Sequence, residues 1–147
     1  MRKLATYFIF PELKIIVESY KGQPTVEDAI NYKKSMILDH AYHPNYNIIT
    51  DLRSTEMQIK SEHVVQLSEF LKFLKESSGK RKVAMLTDKP SQTVLAQLLK
   101  DMRGDMPTDY EAFSTLKPAI SFVGLNANVH DLIKEILIDL SRKLVTE

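Results

Sequence analysis

Tyr46 to Ser61 reads YNIITDLRSTEMQIKS, and how this stretch divides decides the fold. Ile48 and Ile49 stand at the centre of a short β-type run, Asn47 to Leu52. The chain then passes Asp51, Leu52 and Arg53 and reaches Ser61, which is placed to start a helix. Glu62 follows in the first turn, where negative charge meets the positive end of the helix dipole. Val64, Leu67, Leu71 and Leu74 recur every three or four residues. Val65, Phe70 and Phe73 widen that stripe, and Ser77-Ser78-Gly79 ends it.

Upstream, Leu4 to Phe10 and Leu13 to Tyr20 are rich in aliphatic and aromatic residues and read as a hairpin. Pro11 belongs in the connection, because it cannot donate to a ladder. Thr25 is a good N-cap, with Asp28 three residues on to reach back. Val26, Ala29, Ile30, Met36 and Ile37 fall near one stripe. Lys33 interrupts it and is expected to snorkel. The helix ends by Ala41, since His43 precedes Pro44.

Downstream, Lys82 to Thr87 (KVAMLT) is apolar without alternation, as in a strand buried on both faces. Pro90 suits a first helical turn, and Val94, Leu95, Leu98, Leu99 and Met102 follow in amphipathic order up to Gly104. Tyr110 to Phe113 is a weaker strand. Ser114 caps a short helix, Leu116 to Val123, closed by Gly124. Asn128 and Asp131 look like the cap pair of a last helix to Leu144, with Val129, Leu132, Ile133, Ile136, Leu137 and Leu140 on its apolar side. Strands alternating with helices imply a mainly parallel sheet with right-handed crossovers, in one domain spanning residues 1–147.

The 147 residues are 44% hydrophobic and 27% charged, an ordinary globular composition. Twenty basic side chains face nineteen acidic ones, a formal net charge of +1. That balance gives no electrostatic reason to expect nucleic acid or an anionic membrane as partner. With no cysteine, disulfides, thiolate nucleophiles and cysteine-ligated zinc are excluded, and a reducing cytoplasm is the expected location. MRKLATYFIF faintly suggests a signal peptide, but Pro11-Glu12-Leu13-Lys14 offers no small-x-small cleavage site. No apolar run approaches the roughly 18 residues of a membrane helix, so no membrane insertion is expected.

YKGQPTVEDA after the hairpin, NIITDLRS in the central strand, and KVAMLTDKPSQTVLAQLL resemble the STAS domain family, the fold of anti-sigma-factor antagonists, and its SpoIIAA-like (STAS-like) bacterial members. YEAFSTLKPAISFVG is similar to that group's closing strand and helix. The resemblance covers Leu4 to Gly124 and leaves the last helix as an addition. It implies an α/β fold with a mixed, mainly parallel sheet of four to five strands in sequential order. The crossover helices would then share one face. The other face would need cover from the Asn128–Leu144 helix or from a second copy of the chain. Antagonists of the family are switched by phosphorylation of a serine at the start of the helix after the central strand. Ser61 matches that place, within Gln58-Ile59-Lys60-Ser61-Glu62-His63. The family's preceding acidic residue and following glycine are missing, and Glu62 would repel a phosphate.

Ligands of open α/β sheets collect beyond the carboxyl ends of the strands. That edge offers Asp51, Arg53, Ser54, Ser61, Thr87 and Asp88. Asp51 and Asp88 could hold a cation or act as an acid–base pair, but capping of turns is the plainer role. Arg53 could meet a phosphate or a partner's carboxylate, or simply neutralise Asp51. Helix starts at Ser61 and Pro90 could attract an anion, without a glycine-rich loop to support them. His40, His43 and Asp39 lie close together, and His63 and His130 stand apart. None has the spacing of a metal motif. Lys80, Arg81 and Lys82 read as a solvated basic loop. Tyr7, Phe8, Phe10, Phe70, Phe73 and Phe122 read as core, or as the lining of an apolar cavity.

Three functions compete. The first is a non-enzymatic regulatory or protein-interaction module, with an unknown protein partner or a homodimer, working through the Asp51–Ser61 connection and without a cofactor. The second is a carrier or sensor of a small apolar or lipid-like ligand, which needs a cavity of several hundred Å3. The third, and weakest, is an enzyme using Asp51 and Asp88.

Overall fold

The computed structural model describes residues 3–57 and 59–144. One sheet holds β1 (Ala5–Phe10), β2 (Ile15–Gly22), β3 (Asn47–Thr55), β4 (Arg81–Leu86) and β5 (Thr108–Phe113). The strands lie in chain order. β1 is antiparallel to β2 and every later pair is parallel. The hairpin turns through Pro11–Leu13, a single 3₁₀ turn that keeps Pro11 off the ladder. Lys14 closes it at φ 52 and donates its N–H to the Pro11 carbonyl at 3.0 Å.

Three crossover helices, α1 (Val26–Ile37), α2 (His63–Ser77) and α3 (Pro90–Met102), follow β2, β3 and β4. With strands in sequential order, right-handed crossovers put all three on one face. They pack there over Ile16, Ile48, Val83, Met85 and Tyr110. The opposite face carries Ile15, Val17, Ile49, Ala84 and Leu86. It is covered by α4 (Leu116–Phe122) and α5 (His130–Arg142). The terminal helix is therefore part of the cover, and no second copy is needed for it. Ile48 and Ile49 point to opposite faces because side chains alternate along a strand, and both are buried. Each contributes roughly 2 kcal/mol by leaving water.

α4 ends in a Schellman turn. The Leu125 N–H donates to the Ile120 carbonyl at 3.1 Å and the Gly124 N–H to Ser121 at 3.0 Å. Gly124 stands at φ 80, which a side chain would resist. This turn sends the chain back under the sheet towards α5.

Several boundaries differ from expectation. β3 runs on to Thr55, because β2 continues past an irregularity at Ser19–Lys21 and pairs Lys21 with Ser54 and Gly22 with Thr55. β5 starts at Thr108, two residues early. Ser61 does not cap α2, which begins at His63 with Glu62 at the cap position and no side-chain bond there. The His63 ring instead accepts the Lys60 N–H at 3.0 Å and holds that turn. Ser114 does not cap α4, whose cap position is Thr115. Asn128 and Asp131 do not cap α5. Asn126 accepts the Asn128 N–H at 2.9 Å, and a 3₁₀ turn, Ala127–Val129, leads in. Val64, Val65, Val94 and Leu132, assigned to apolar stripes, are exposed, as is Phe8.

Candidate functional site

Between α1, α2 and the sheet lies a cavity of about 1010 Å3. Its lining takes in both ends of α1, from Val26 to Ile37, and both ends of α2, from His63 to Ser77. It therefore runs the length of α1, whose 12 residues span about 18 Å. Ile48, Val83 and Tyr110, in register across three strands, form part of its floor. Exposed residues of both helices, among them Asn31 and Glu69, line it too, so it reaches solvent along the seam between them. On the α2 side the contact with the sheet is narrow. That helix buries only Leu67, Leu71 and Leu74, while Val65 is 66% exposed.

Of the polar lining residues on the helices, Glu27, Asn31, Lys34, Gln66 and Glu69 are exposed, whereas those of the floor are buried. Glu18 is buried and every bond to it has a reason. Its Oε1 accepts from the Lys33 ammonium at 2.7 Å and from the Tyr32 hydroxyl at 2.8 Å, and its Oε2 from the Thr50 hydroxyl at 2.6 Å. Lys33 is buried rather than snorkelling. Its long stem interrupts an apolar stripe because its charge is answered by Glu18 below. A buried charge without such a partner costs several kcal/mol.

Arg81 corrects the solvated-loop reading of 80–82, for it is only 5% exposed. Its Nε donates to the Tyr46 carbonyl and its NH2 to the His43 carbonyl, each at 2.7 Å, and NH1 donates to the Tyr42 hydroxyl at 3.0 Å. All three acceptors are neutral. Tyr20 and Tyr110 also line the cavity, at 6% and 4% exposed. Among the described residues neither hydroxyl has a hydrogen-bond partner, and no buried polar side-chain atom is sealed without one. The two hydroxyls thus open on the cavity. Burial, then the charge of Glu18, raises Tyr20 well above the ordinary phenol value. Burial also raises Tyr110; the Arg81 guanidinium opposes that more strongly than Glu18 reinforces it. Both stay protonated, and so remain donors, at neutral pH. Sequence reading missed Tyr20, Tyr110, Glu18 and Arg81 as a group. The available signal was a glutamate and a lysine inside otherwise apolar runs.

The predicted edge is brought together in part. Asp51 accepts from the Arg53 Nε and NH2 and from its backbone N–H, all at 3.0 Å. This bidentate pair raises Arg53 further above its usual range, and the Asp88 charge adds to the effect. Arg53 therefore neutralises Asp51, as the plainer reading had it. Asp88 is exposed at the β4–α3 turn, and Lys89 lies 3.7 Å from both Asp88 and Glu56 while donating to the Arg53 carbonyl at 3.1 Å. Ser54 is exposed, since β4 stops opposite Asp51. Thr87 is buried, its hydroxyl accepting from Thr93 at 3.3 Å. Ser61 is exposed in the turn before α2 and, among the described residues, shares no side-chain bond with the others. Gln58 lies outside the described residues. His43 accepts the Asn45 N–H at 3.1 Å and stacks on Tyr46, and His40 projects into solvent. Among the described residues no three His, Asp or Glu side chains are grouped to hold a metal, and no helix is long and apolar enough to cross a membrane.

No family model matches the chain, and no curated protein matches it. A solved structure does match. It is an uncharacterised protein of the DUF3478 family with a SpoIIAA-like fold, from Shewanella loihica PV-4. The likeness has a TM-score of 0.54 at 14% identity and covers 81% of this chain and 93% of that one. The sequential sheet, the shared face of its crossover helices and this likeness lead to one conclusion: the chain has a SpoIIAA-like fold.

Proposed function

We propose that the protein is a non-enzymatic STAS-like module that holds a small apolar ligand between α1, α2 and the sheet, as a carrier or sensor. The observation that carries this is the cavity of about 1010 Å3, which is of the size that takes small-molecule ligands. Aliphatic and aromatic groups form most of its inner surface, with buried polar groups on the floor and exposed polar side chains of α1 and α2 along the opening, a make-up that suits such sites.

A protein-interaction role at the strand edge is compatible with this and gains a link from it. Glu56 lines the cavity and also meets Lys89, which holds the Arg53 carbonyl. A ligand that moves Glu56 would thus be felt beside Arg53, Ser54 and Asp88, the surface offered to a protein partner.

Nile red, a neutral dye that brightens in apolar surroundings, tests the cavity. The purified protein should bind it saturably at one site. Leu67→Trp and Ala29→Phe, which fill the space from opposite helices, should each abolish binding while the protein stays folded by circular dichroism. Dye binding that is absent, or that survives both fillings, would overturn the reading.

A further inference from the structure

We propose that the cavity binds a small amphipathic acid, with its carboxylate between the Tyr110 hydroxyl and the Arg81 guanidinium and its apolar body lying between α1 and α2. This rests on the cavity reading above and adds the chemical class of the ligand.

The charges of the floor lead to it. Glu18 is matched by Lys33 at 2.7 Å, and its oxygens are further occupied by Tyr32 and Thr50. A cationic ligand therefore finds no free carboxylate on the buried floor; the other acidic lining residues, Glu27, Glu56 and Glu69, are exposed to solvent along the opening. Arg81 is different. Its three bonds go to two carbonyls and a hydroxyl, and among the described residues no carboxylate pairs with it. A guanidinium carries five N–H groups, so two remain to be used. The buried charges of the cavity thus leave one positive charge unmatched, and burying it without a counter-ion is costly. A ligand carboxylate supplies the missing charge.

The hydroxyls complete the site. Tyr110 is more than nine-tenths buried, has no partner among the described residues and opens on the cavity. Arg81 pairs with Thr108 and Val83 with Tyr110, so Arg81 and Tyr110 share one face of adjacent strands, and an O–H donor and a guanidinium so placed can seat an anionic oxygen between them. The Tyr20 hydroxyl offers a second donor on the same floor. Beyond them the walls are apolar, with Met36, Ile48, Leu67 and Phe70 among the lining residues, and they suit a hydrocarbon body. A neutral apolar molecule would fill the volume but leave the charge on Arg81 and both hydroxyls unanswered.

Displacement of Nile red from the full chain at neutral pH, by decanoate, decanol and decyltrimethylammonium, tests this. These share a tail and differ in the head. Decanoate should displace the dye at about tenfold lower concentration than decanol, and the cation should be weaker than both. Tyr110→Phe removes one hydroxyl that bonds to nothing described, so the fold and the Arg81 bonds should persist. It should weaken decanoate by about tenfold and leave decanol within about twofold. Equal displacement by decanoate and decanol, or equal weakening of both by Tyr110→Phe, overturns the assignment of the acid while the cavity stands. Failure of Nile red to bind overturns both readings together.

Discussion

Gln92 is fully buried in the first turn of α3 and joins two strands' ends through one amide. Its Oε1 accepts the N–H groups of Asp88 at 2.8 Å and Lys89 at 3.2 Å, and its Nε2 donates to the Thr55 carbonyl at 3.1 Å. Gln92→Leu keeps the volume and orphans three backbone groups, so it should lower stability by about 3 kcal/mol with an unchanged denaturant slope, read by urea unfolding. The tyrosines make a second case. Tyr7 donates to Asp39 at 2.9 Å, and burial, that bond and the Asp39 charge push it up to about 12. In the unfolded chain a phenol titrates near 10. The folded form thus keeps its proton longer, and its contribution is intact below about pH 10 and lost as pH rises towards 12. Tyr20, Tyr32 and Tyr110 are raised as well, so urea midpoints should fall steeply above about pH 10, and Tyr7→Phe should make that fall shallower. At this scale the sequence spoke least clearly. Arg81 looked like one of three loop cations, and only the neighbouring carbonyls of residues 43 and 46, fixed by tertiary structure, explain its burial.

α5 shows what an element adds to the sheet. Ile133, Leu137 and Leu140 are buried against the face that carries Ile15, Val17 and Ile49, whereas Leu132, one residue away from Ile133, is exposed. Leu137→Ala should cost about 3 kcal/mol, and Leu132→Ala less than about 0.5 kcal/mol, in the same unfolding assay. Similar losses at both positions would mean that the helix is seated on another side. The apolar stripe of α5 was legible from spacing, and its role as one of two candidate covers followed from the sheet face that the family resemblance implied would need one. Its start was not. Asn126, rather than Asn128, takes the first free N–H, because a 3₁₀ turn precedes the α-helix. β3 outran its expected end for a similar reason: what extends it is the continuation of β2 alongside, which hydrophobic pattern within β3 cannot reveal.

Across the whole molecule, the alternation of strands and helices made a mainly parallel sheet readable, and the resemblance of NIITDLRS and its neighbours to the SpoIIAA-like group implied the sequential order that the strands take. The cavity was not readable. Its volume depends on how far α1 and α2 stand above the floor, and that distance is set by a few contacts from different parts of the chain. The seating of α5 on β2 and β1 carries one more consequence. α5 leaves the ribosome after every strand of the sheet and closes over the hairpin that begins that sheet. Until residues near Leu140 have emerged, the Ile15–Val17–Ile49 surface stands bare to water and to other chains. A nascent chain stalled before α5 should therefore be a client for chaperones, even though every strand of its sheet has already been made.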